Sequence, residues 1–441
     1  MRRPTGIAAC GIVRTTIAAP ELIKNPRLFN CIRVSCTFLT GKYVVANDSH
    51  IGMLAPHSRP GLSTAMTRPP LYPLAQSLPA TVPFVGPETQ ERLRGEPFTA
   101  RIGANESAFG PSPKAIAAMQ KAAADEAWMY GDPEAHDLKQ ALAIHHQVPM
   151  ESLMIGEGID GLLGLIVRLY VTAGDTVVTS AGAYPTFNYH VAGFGGTLHQ
   201  VPYKDDHEDP VGLIEKAIST GAKLIYIANP DNPMGTWHDA TVMEQMIAAI
   251  PPGCLLLLDE AYIDLAPDST APRIDPLAGN VIRLRTFSKA HGMAGCRVGY
   301  AISAPDVISG FNKVRNHFGM SRISLAGAQA ALQDAFWLSH VRAEVATAKH
   351  SIIKAATDNG LKALPSATNF VTIDCGHDGA FAKAVLTNLI ENGIFVRMPF
   401  VHPQDRCIRV SCGTASDMTA FAGALPLALA RAKAGLHEKL G

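Results

Sequence analysis

From about Ser112 onward the chain alternates two kinds of hydrophobic pattern. Residues 113–124 and 136–145 carry apolar side chains at helical spacing, and short β-rich, mostly apolar runs come after them at 176–179, 224–228, 255–258, 281–284 and 298–302. Runs of four or five residues without polar alternation predict strands buried on both faces. The pattern therefore predicts an α/β fold, a mostly parallel sheet covered by helices on both faces. After Ala326 helical character continues to about Thr357. Strands are then expected at 369–373, 394–396 and 408–411, with a closing helix over 418–434. This divides the chain into a large domain over 112–330 and a smaller C-terminal α/β domain over 331–441. Residues 66–111 precede both as an N-terminal arm, and the prolines crowded into 66–98 predict extended chain there rather than a packed element.

Composition narrows the picture. A length of 441 residues exceeds one ordinary core, and 47% hydrophobic with 17% charged residues describes a folded chain. Lys+Arg and Asp+Glu number 38 each, so no global field would draw in nucleic acid or an anionic membrane. The longest apolar stretch, residues 161–171, is too short to span a bilayer and is broken by Arg168. Charge is nevertheless uneven. Residues 1–65 hold eight basic and two acidic side chains, leaving 30 basic against 36 acidic downstream. This basic leader is expected to lie outside the fold. Its amphipathic pattern is poor for a transit peptide, Arg14 interrupts it as a secretory signal, and upstream sequence before a start at Met66 is the favoured reading. Within it Cys31–Cys36 reads CIRVSC, repeated at Cys407–Cys412, a coincidence without a physical account. The cysteines show no zinc-like spacing, so no metal is expected and a reducing cytoplasm fits.

The residues just beyond the central strand runs carry the candidate chemistry. After 224–228 comes Asn229-Pro-Asp-Asn232-Pro-Met-Gly235. After 255–258 comes Asp259-Glu-Ala-Tyr262, and after 281–284 come Thr286-Phe-Ser288-Lys289 and then Arg297. Ligands of open α/β sheets bind beyond the carboxyl ends of the strands. An amide, a carboxylate with a phenol, and a lysine with hydroxyls and a guanidinium are thus expected to meet in one place. Each alone has an ordinary explanation as a turn, a metal-type carboxylate or a surface lysine. Their order and position at three successive strand ends make those explanations hard to sustain together.

This set resembles the aspartate-aminotransferase-like (fold type I) superfamily of pyridoxal-phosphate enzymes, most closely its histidinol-phosphate-aminotransferase-like branch, from about Arg101 to the C-terminus. The resemblance implies pyridoxal 5'-phosphate as cofactor. An aldehyde cofactor needs a primary amine, and Lys289 is that amine by resemblance. Asp259 would face the pyridine nitrogen, and Asn232 and Tyr262 the ring's phenolate oxygen. Gly158, Ile159 and Asp160 match the phosphate turn ahead of a helix, completed by Thr286, Ser288 and Arg297. Phe187 would stack on the ring. Tyr130 matches a tyrosine that reaches the neighbouring subunit's phosphate, which implies a homodimer. Arg409 matches the arginine that grips the substrate's anion, with Arg397 as a second cation. Asn105 belongs to a partial match of the arm over the site, reading Asn-Glu-Ser-Ala where the family has Asn-Glu-Asn-Pro. Residues 315–320 also depart from the family's Pro-Phe-Asn pattern.

The expected activity is transfer of an amino group from an amino acid or histidinol-phosphate-like amine to an oxo acid such as 2-oxoglutarate. A decarboxylase on the same fold, acting for instance on O-phospho-threonine, is the alternative. A regulator with an aminotransferase-like sensor would need a helix-turn-helix module that residues 1–98 do not supply. A nucleotide-binding enzyme would need a phosphate-loop motif after a strand, and the chain has none.

Overall fold

A computed structural model describes residues 68–80 and 85–440, so the basic leader over 1–65 lies outside the described residues. The arm is not simply extended. It forms helices Pro73–Ser77 and Pro87–Arg94 before strand β1 (Ala100–Arg101). Proline starts both helices, at the position where its missing N–H and fixed φ cost nothing. The prolines expected to keep this segment open instead nucleate its two short helices.

The principal sheet contains β2 (Leu153–Gly156), β3 (Thr176–Ser180), β4 (Thr197–Val201), β5 (Leu224–Ala228), β6 (Leu255–Asp259), β7 (Val281–Thr286) and β8 (Gly299–Ile302), in the order β2-β8-β7-β6-β5-β3-β4. All pairings from β7 to β4 are parallel, whereas β8 runs antiparallel to both β7 and β2. The five predicted runs are all strands, and two more flank them. Edge strand β4, Thr-Leu-His-Gln-Val, is too polar to stand out by hydrophobicity. Its outer side needs no apolar cover.

Helices cover both faces of the sheet. On one face Leu162, Leu163, Ile166 and Val167 of the helix Gly158–Tyr170 pack on Tyr226, Leu257 and Leu284. The other face is covered by Leu213 and Ala217 and by Met243 and Met246, which meet Ile225, Ile227, Leu256 and Leu258.

The C-terminal part pairs β9 (Lys362–Ala363), β10 (Phe370–Asp374) and β12 (Cys407–Ser411) into an antiparallel sheet of order β12-β10-β9. Strand β11 (Ile394–Phe395) pairs in parallel with β1, joining the arm to this region. One apolar cluster unites Ile102 of the arm with Val341, Val345, Val371, Phe381, Ile408 and Phe421. The single helical stretch expected over 326–357 is two helices, Arg322–Leu332 and Ala335–Asp358. Asp334 breaks them apart because its side chain caps the second by accepting from the Trp337 amide. Among the described residues no helix is long and apolar enough to cross a membrane, and no cluster of three His, Cys, Asp or Glu side chains could hold a metal.

Candidate active site

The carboxyl ends of β5, β6 and β7 open into one cavity of about 240 Å³, lined by Ile159, Asp160, Tyr184, Asn232, Asp259, Tyr262, Thr286, Ser288, Lys289 and Arg297. The convergence expected at three strand ends is therefore observed. Asp259 closes β6 and is 4% exposed. Its Oδ2 accepts from the Tyr226 hydroxyl at 2.7 Å and its Oδ1 from the Ala261 amide at 2.9 Å. Burial pushes this carboxyl up to about 6, against the lowering by those two donors. A cationic N–H placed against it would satisfy a carboxylate that the protein alone leaves poorly compensated.

Lys289 comes after β7 on the opposite wall. Its Nζ donates to the Asn105 carbonyl at 3.2 Å and lies 5.6 Å from the centre of the Tyr262 ring. Asn105 has a left-handed φ of 56°, uncommon for a side-chain-bearing residue, and it is almost wholly buried. Contacts to three residues hold it there, beginning with its own amide, which donates to Ser411 Oγ at 3.0 Å. Its Nδ2 donates to the Tyr262 hydroxyl at 3.1 Å, its Oδ1 accepts from Ser411 Oγ at 2.9 Å, and its carbonyl also accepts from Asn369 Nδ2 at 3.0 Å. The arm thus contributes backbone as well as side chain to the site.

At the far end of the cavity the helix Gly158–Tyr170 begins without a side-chain cap, which leaves its first amides for an anion. Gly158 has φ +78°, and a Cβ there would sit 2.4 Å from Arg297 Nη2. Only glycine lets the guanidinium approach this backbone. Arg297 also reaches Ser288 Oγ at 3.3 Å and Asp160 Oδ2 at 3.4 Å, while Thr286 Oγ1 donates to Ser288 Oγ at 2.9 Å. Tyr184 donates to Asp160 Oδ1 at 3.0 Å. Backbone amides, two hydroxyls and a guanidinium are the donors that a phosphate needs. With the carboxylate and the lysine in the same cavity, the donor set fits pyridoxal phosphate.

A second, wider chamber of about 610 Å³ shares Tyr184, Asn232 and Lys289 with the first and is lined also by Asn105, Arg397 and Arg409. Arg409 on β12 donates through Nη1 to Asn232 Oδ1 and through Nη2 to the Gly103 carbonyl at 3.3 Å. Its guanidinium stands 5.2 Å from the Phe370 ring centre, and burial lowers its pKa to about 10, so it is still a cation at neutral pH. Arg397 is bridged to Arg409 backbone to backbone and donates from Nη2 to the Val85 carbonyl at 2.9 Å.

Two expected residues lie elsewhere. Phe187 does not face the cavity. It is fully buried beneath it, stacked on Tyr226 with ring centres 4.9 Å apart. The helix Thr186–Gly193 begins just before it and turns its apolar side into the core, so of these two neighbouring aromatics it is Tyr184 that lines the cavity. Tyr130 is 77% exposed, against Phe318, and does not line this chain's cavity. The sequence reading missed Tyr226 and Asn369. A tyrosine inside the otherwise aliphatic run Leu-Ile-Tyr-Ile-Ala was the available signal, because a buried hydroxyl needs a partner. Asn369 gave no such signal.

The family model for aminotransferase classes I and II matches residues 100–425. A histidinol-phosphate aminotransferase of Moorella thermoacetica is 31% identical over 353 residues, covering 79% of this chain and 90% of its own. The crystal structure of histidinol-phosphate aminotransferase from Sinorhizobium meliloti in complex with pyridoxal-5'-phosphate is 51% identical. It superposes with a TM-score of 0.80 over 83% of this chain and 99% of that one. Aspartate aminotransferase from Thermus thermophilus, 19% identical with a TM-score of 0.69 over 81% of this chain and all of its own, shares the fold. These relatives are named for transamination, which favours it over decarboxylation. The chain therefore belongs to the class I and II aminotransferase family, in its histidinol-phosphate-aminotransferase-like branch, and is a pyridoxal-phosphate-dependent aminotransferase.

Proposed function

We propose that the amino donor is a phosphate monoester amine such as histidinol phosphate, that the acceptor is an oxo acid such as 2-oxoglutarate, and that the enzyme works as a cytoplasmic homodimer. The observation that carries this reading is the pair Arg397 and Arg409, two half-buried guanidinium groups lining one chamber beside Lys289. Two partly desolvated cations side by side favour a dianion, and a planar fork fits phosphate and carboxylate alike. The same pair would serve the donor's phosphate in one half-reaction and the acceptor's carboxylates in the other.

The bound cofactor supplies an electron sink conjugated to the carbon that carries the amino group. The chain's residues do the rest. Lys289 would hold the cofactor's aldehyde through Nζ and, once freed by the incoming amine, would take the proton from the substrate carbon as base and give it back as acid. Asp259 holds the proton on the ring nitrogen; its poorly solvated carboxylate is built for a cationic partner. Tyr262 and Asn232 donate to the ring's oxygen. Because Arg409 occupies Asn232 Oδ1, the Nδ2 end is the one turned to this task. The amides of Gly158, Ile159 and Asp160, with Thr286, Ser288 and Arg297, hold the phosphate. Tyr184, in the cavity lining, would pack against the cofactor, and Asn105 positions the Tyr262 hydroxyl. Exposed Tyr130 would complete the phosphate shell of the partner subunit.

A panel of histidinol phosphate, phenylalanine and aspartate, each with 2-oxoglutarate, tests the donor. Histidinol phosphate is expected to give the highest kcat/KM. A higher value for either amino acid would overturn the phosphate-donor reading.

A further inference from the structure

Arg406 ends the short turn Gln404–Arg406 that leads directly into β12. Its Nε donates to Asp374 Oδ2 at 2.7 Å. Its Nη2 lies between both oxygens of Asp206, at 3.0 and 2.8 Å, and its Nη1 donates to the Pro403 carbonyl at 2.9 Å. Asp374 ends β10, opposite Cys407 in the ladder, and so belongs to the same small sheet as β12. Asp206 does not. It sits beyond β4, in the turn closed by reciprocal backbone bonds between Lys204 and His207, with a left-handed φ of 65°. Its carbonyl accepts from Thr236 Oγ1 at 2.9 Å, and the Thr236 carbonyl accepts from the amide of Asp231, the neighbour of Asn232, at 2.8 Å. One guanidinium thus ties the small sheet to the turn between Lys204 and His207, which Thr236 links to the turn that carries Asn232.

Three residues further along, Arg409 makes a second link to that turn, at Asn232 Oδ1 itself. The two links are roughly 10 Å apart along the strand. They differ in chemistry. The partner of Arg409 is a neutral amide held by one nitrogen, which a substrate carboxylate or phosphate outcompetes because it brings the opposite charge and can take both arms of the fork. The partners of Arg406 are two carboxylates of the protein, each about one-fifth exposed, arranged as a network rather than as an isolated surface pair.

We propose that Arg406 is a positioning residue: with Asp206 and Asp374 it forms the fixed pivot that keeps β12 docked on the Asn229–Gly235 turn while Arg409 leaves Asn232 for the anion of the substrate. The proposal rests on the reading that Arg409 grips that anion. A strand held at both points needs no reordering when one is released, so the fork of Arg409 stays aimed into the chamber.

Steady-state kinetics of the holoenzyme test this, with Arg406→Ala, Arg406→Lys, Asp206→Asn and Arg409→Ala beside the parent, using 2-oxoglutarate and the best donor of the panel. Arg406→Ala is expected to raise KM for both anionic substrates about tenfold, since small displacements of a binding group are expensive. The cofactor's visible spectrum and kcat should stay close to the parent's. Arg406→Lys should recover part of the loss. Asp206→Asn should give a smaller rise, and combined with Arg406→Ala it should add little. A lowered Tm with unchanged KM in Arg406→Ala would reduce Arg406 to a structural ion pair and refute the pivot. Unchanged KM in Arg409→Ala would instead remove the reading beneath it. If Arg406→Ala does not fold, Asp206→Asn carries the test, because it leaves the Asp374 contact inside the small sheet intact.

Discussion

Asp259 shows how one residue can serve function at the expense of the bare chain. Its carboxyl titrates near 3.8 in an unfolded chain and, through burial, about 6 in the fold. The folded protein therefore binds this proton more tightly than the unfolded one. The contribution is fully present below pH 4 and lost as pH rises through about 6, amounting to about 3 kcal/mol at most. Cofactor-free parent should accordingly lose stability between pH 4 and 6 relative to Asp259→Asn, in paired denaturant titrations. Equal pH dependence of the two would show that the carboxyl is not strained by burial. With cofactor bound the difference should shrink, while turnover of Asp259→Ala should nearly vanish. The position of this residue was legible because the apolar run 255–258 stops at an acid where ligands of such sheets bind. Tyr184 was harder to read, since the choice between it and Phe187 depends on the direction in which a short helix leaves its loop. The grip on Asn105, by residues 157, 264 and 306 positions away, leaves no local trace.

At the scale of elements, the two central strands β6 and β7 carry a charged cluster directly behind the site. Glu260, with its side chain fully buried, receives Arg283 through Nε at 3.0 Å and through Nη2, and Arg285 through Nε at 2.8 Å. Burial works against its charge, yet the two guanidinium groups hold its carboxyl below the ordinary range. Glu260→Gln would leave two cations without a carboxylate and should cost about 3–5 kcal/mol in chemical denaturation. Replacing Glu260, Arg283 and Arg285 together by leucine or methionine should cost less than this single change. A single change within about 0.5 kcal/mol of the parent would mean that water or Tyr300 already compensates the cluster. Hydrophobicity alone could not foresee these arginines, because Val-Ile-Arg-Leu-Arg-Thr reads as a strand with one polar face. Only the neighbouring strand shows that this face is interior. The helices that proline begins in the arm were hidden for the converse reason, that proline both starts and interrupts regular structure.

For the whole molecule, the exposed Tyr130 and its neighbour Phe318 make a concrete prediction about assembly. If Tyr130 serves the partner's phosphate site, Lys289→Ala and Tyr130→Ala subunits should complement each other. Mixing the two inactive or weakened proteins after mild dissociation should restore activity, since a hybrid dimer contains one site with both residues intact. No recovery, despite hybrids demonstrated by native mass spectrometry, would place Tyr130 outside catalysis.

The pairing of β1 with β11 has a consequence for synthesis. Ala100 lies opposite Ile394, so the strand that leads into Asn105 finds its partner only after nearly three hundred further residues have been made. At about 5–20 residues per second that is roughly 15–60 s, and only in its last part, after Ile302, does the ribosome-bound chain have its central sheet while lacking the strand that fixes Asn105. Lys289 is made well before its hydrogen-bond acceptor can be set in place. A chain stalled before Ile394 should therefore have the strands β5–β7 that open into the cavity yet lack the β11 partner that fixes β1 and the arm beyond it.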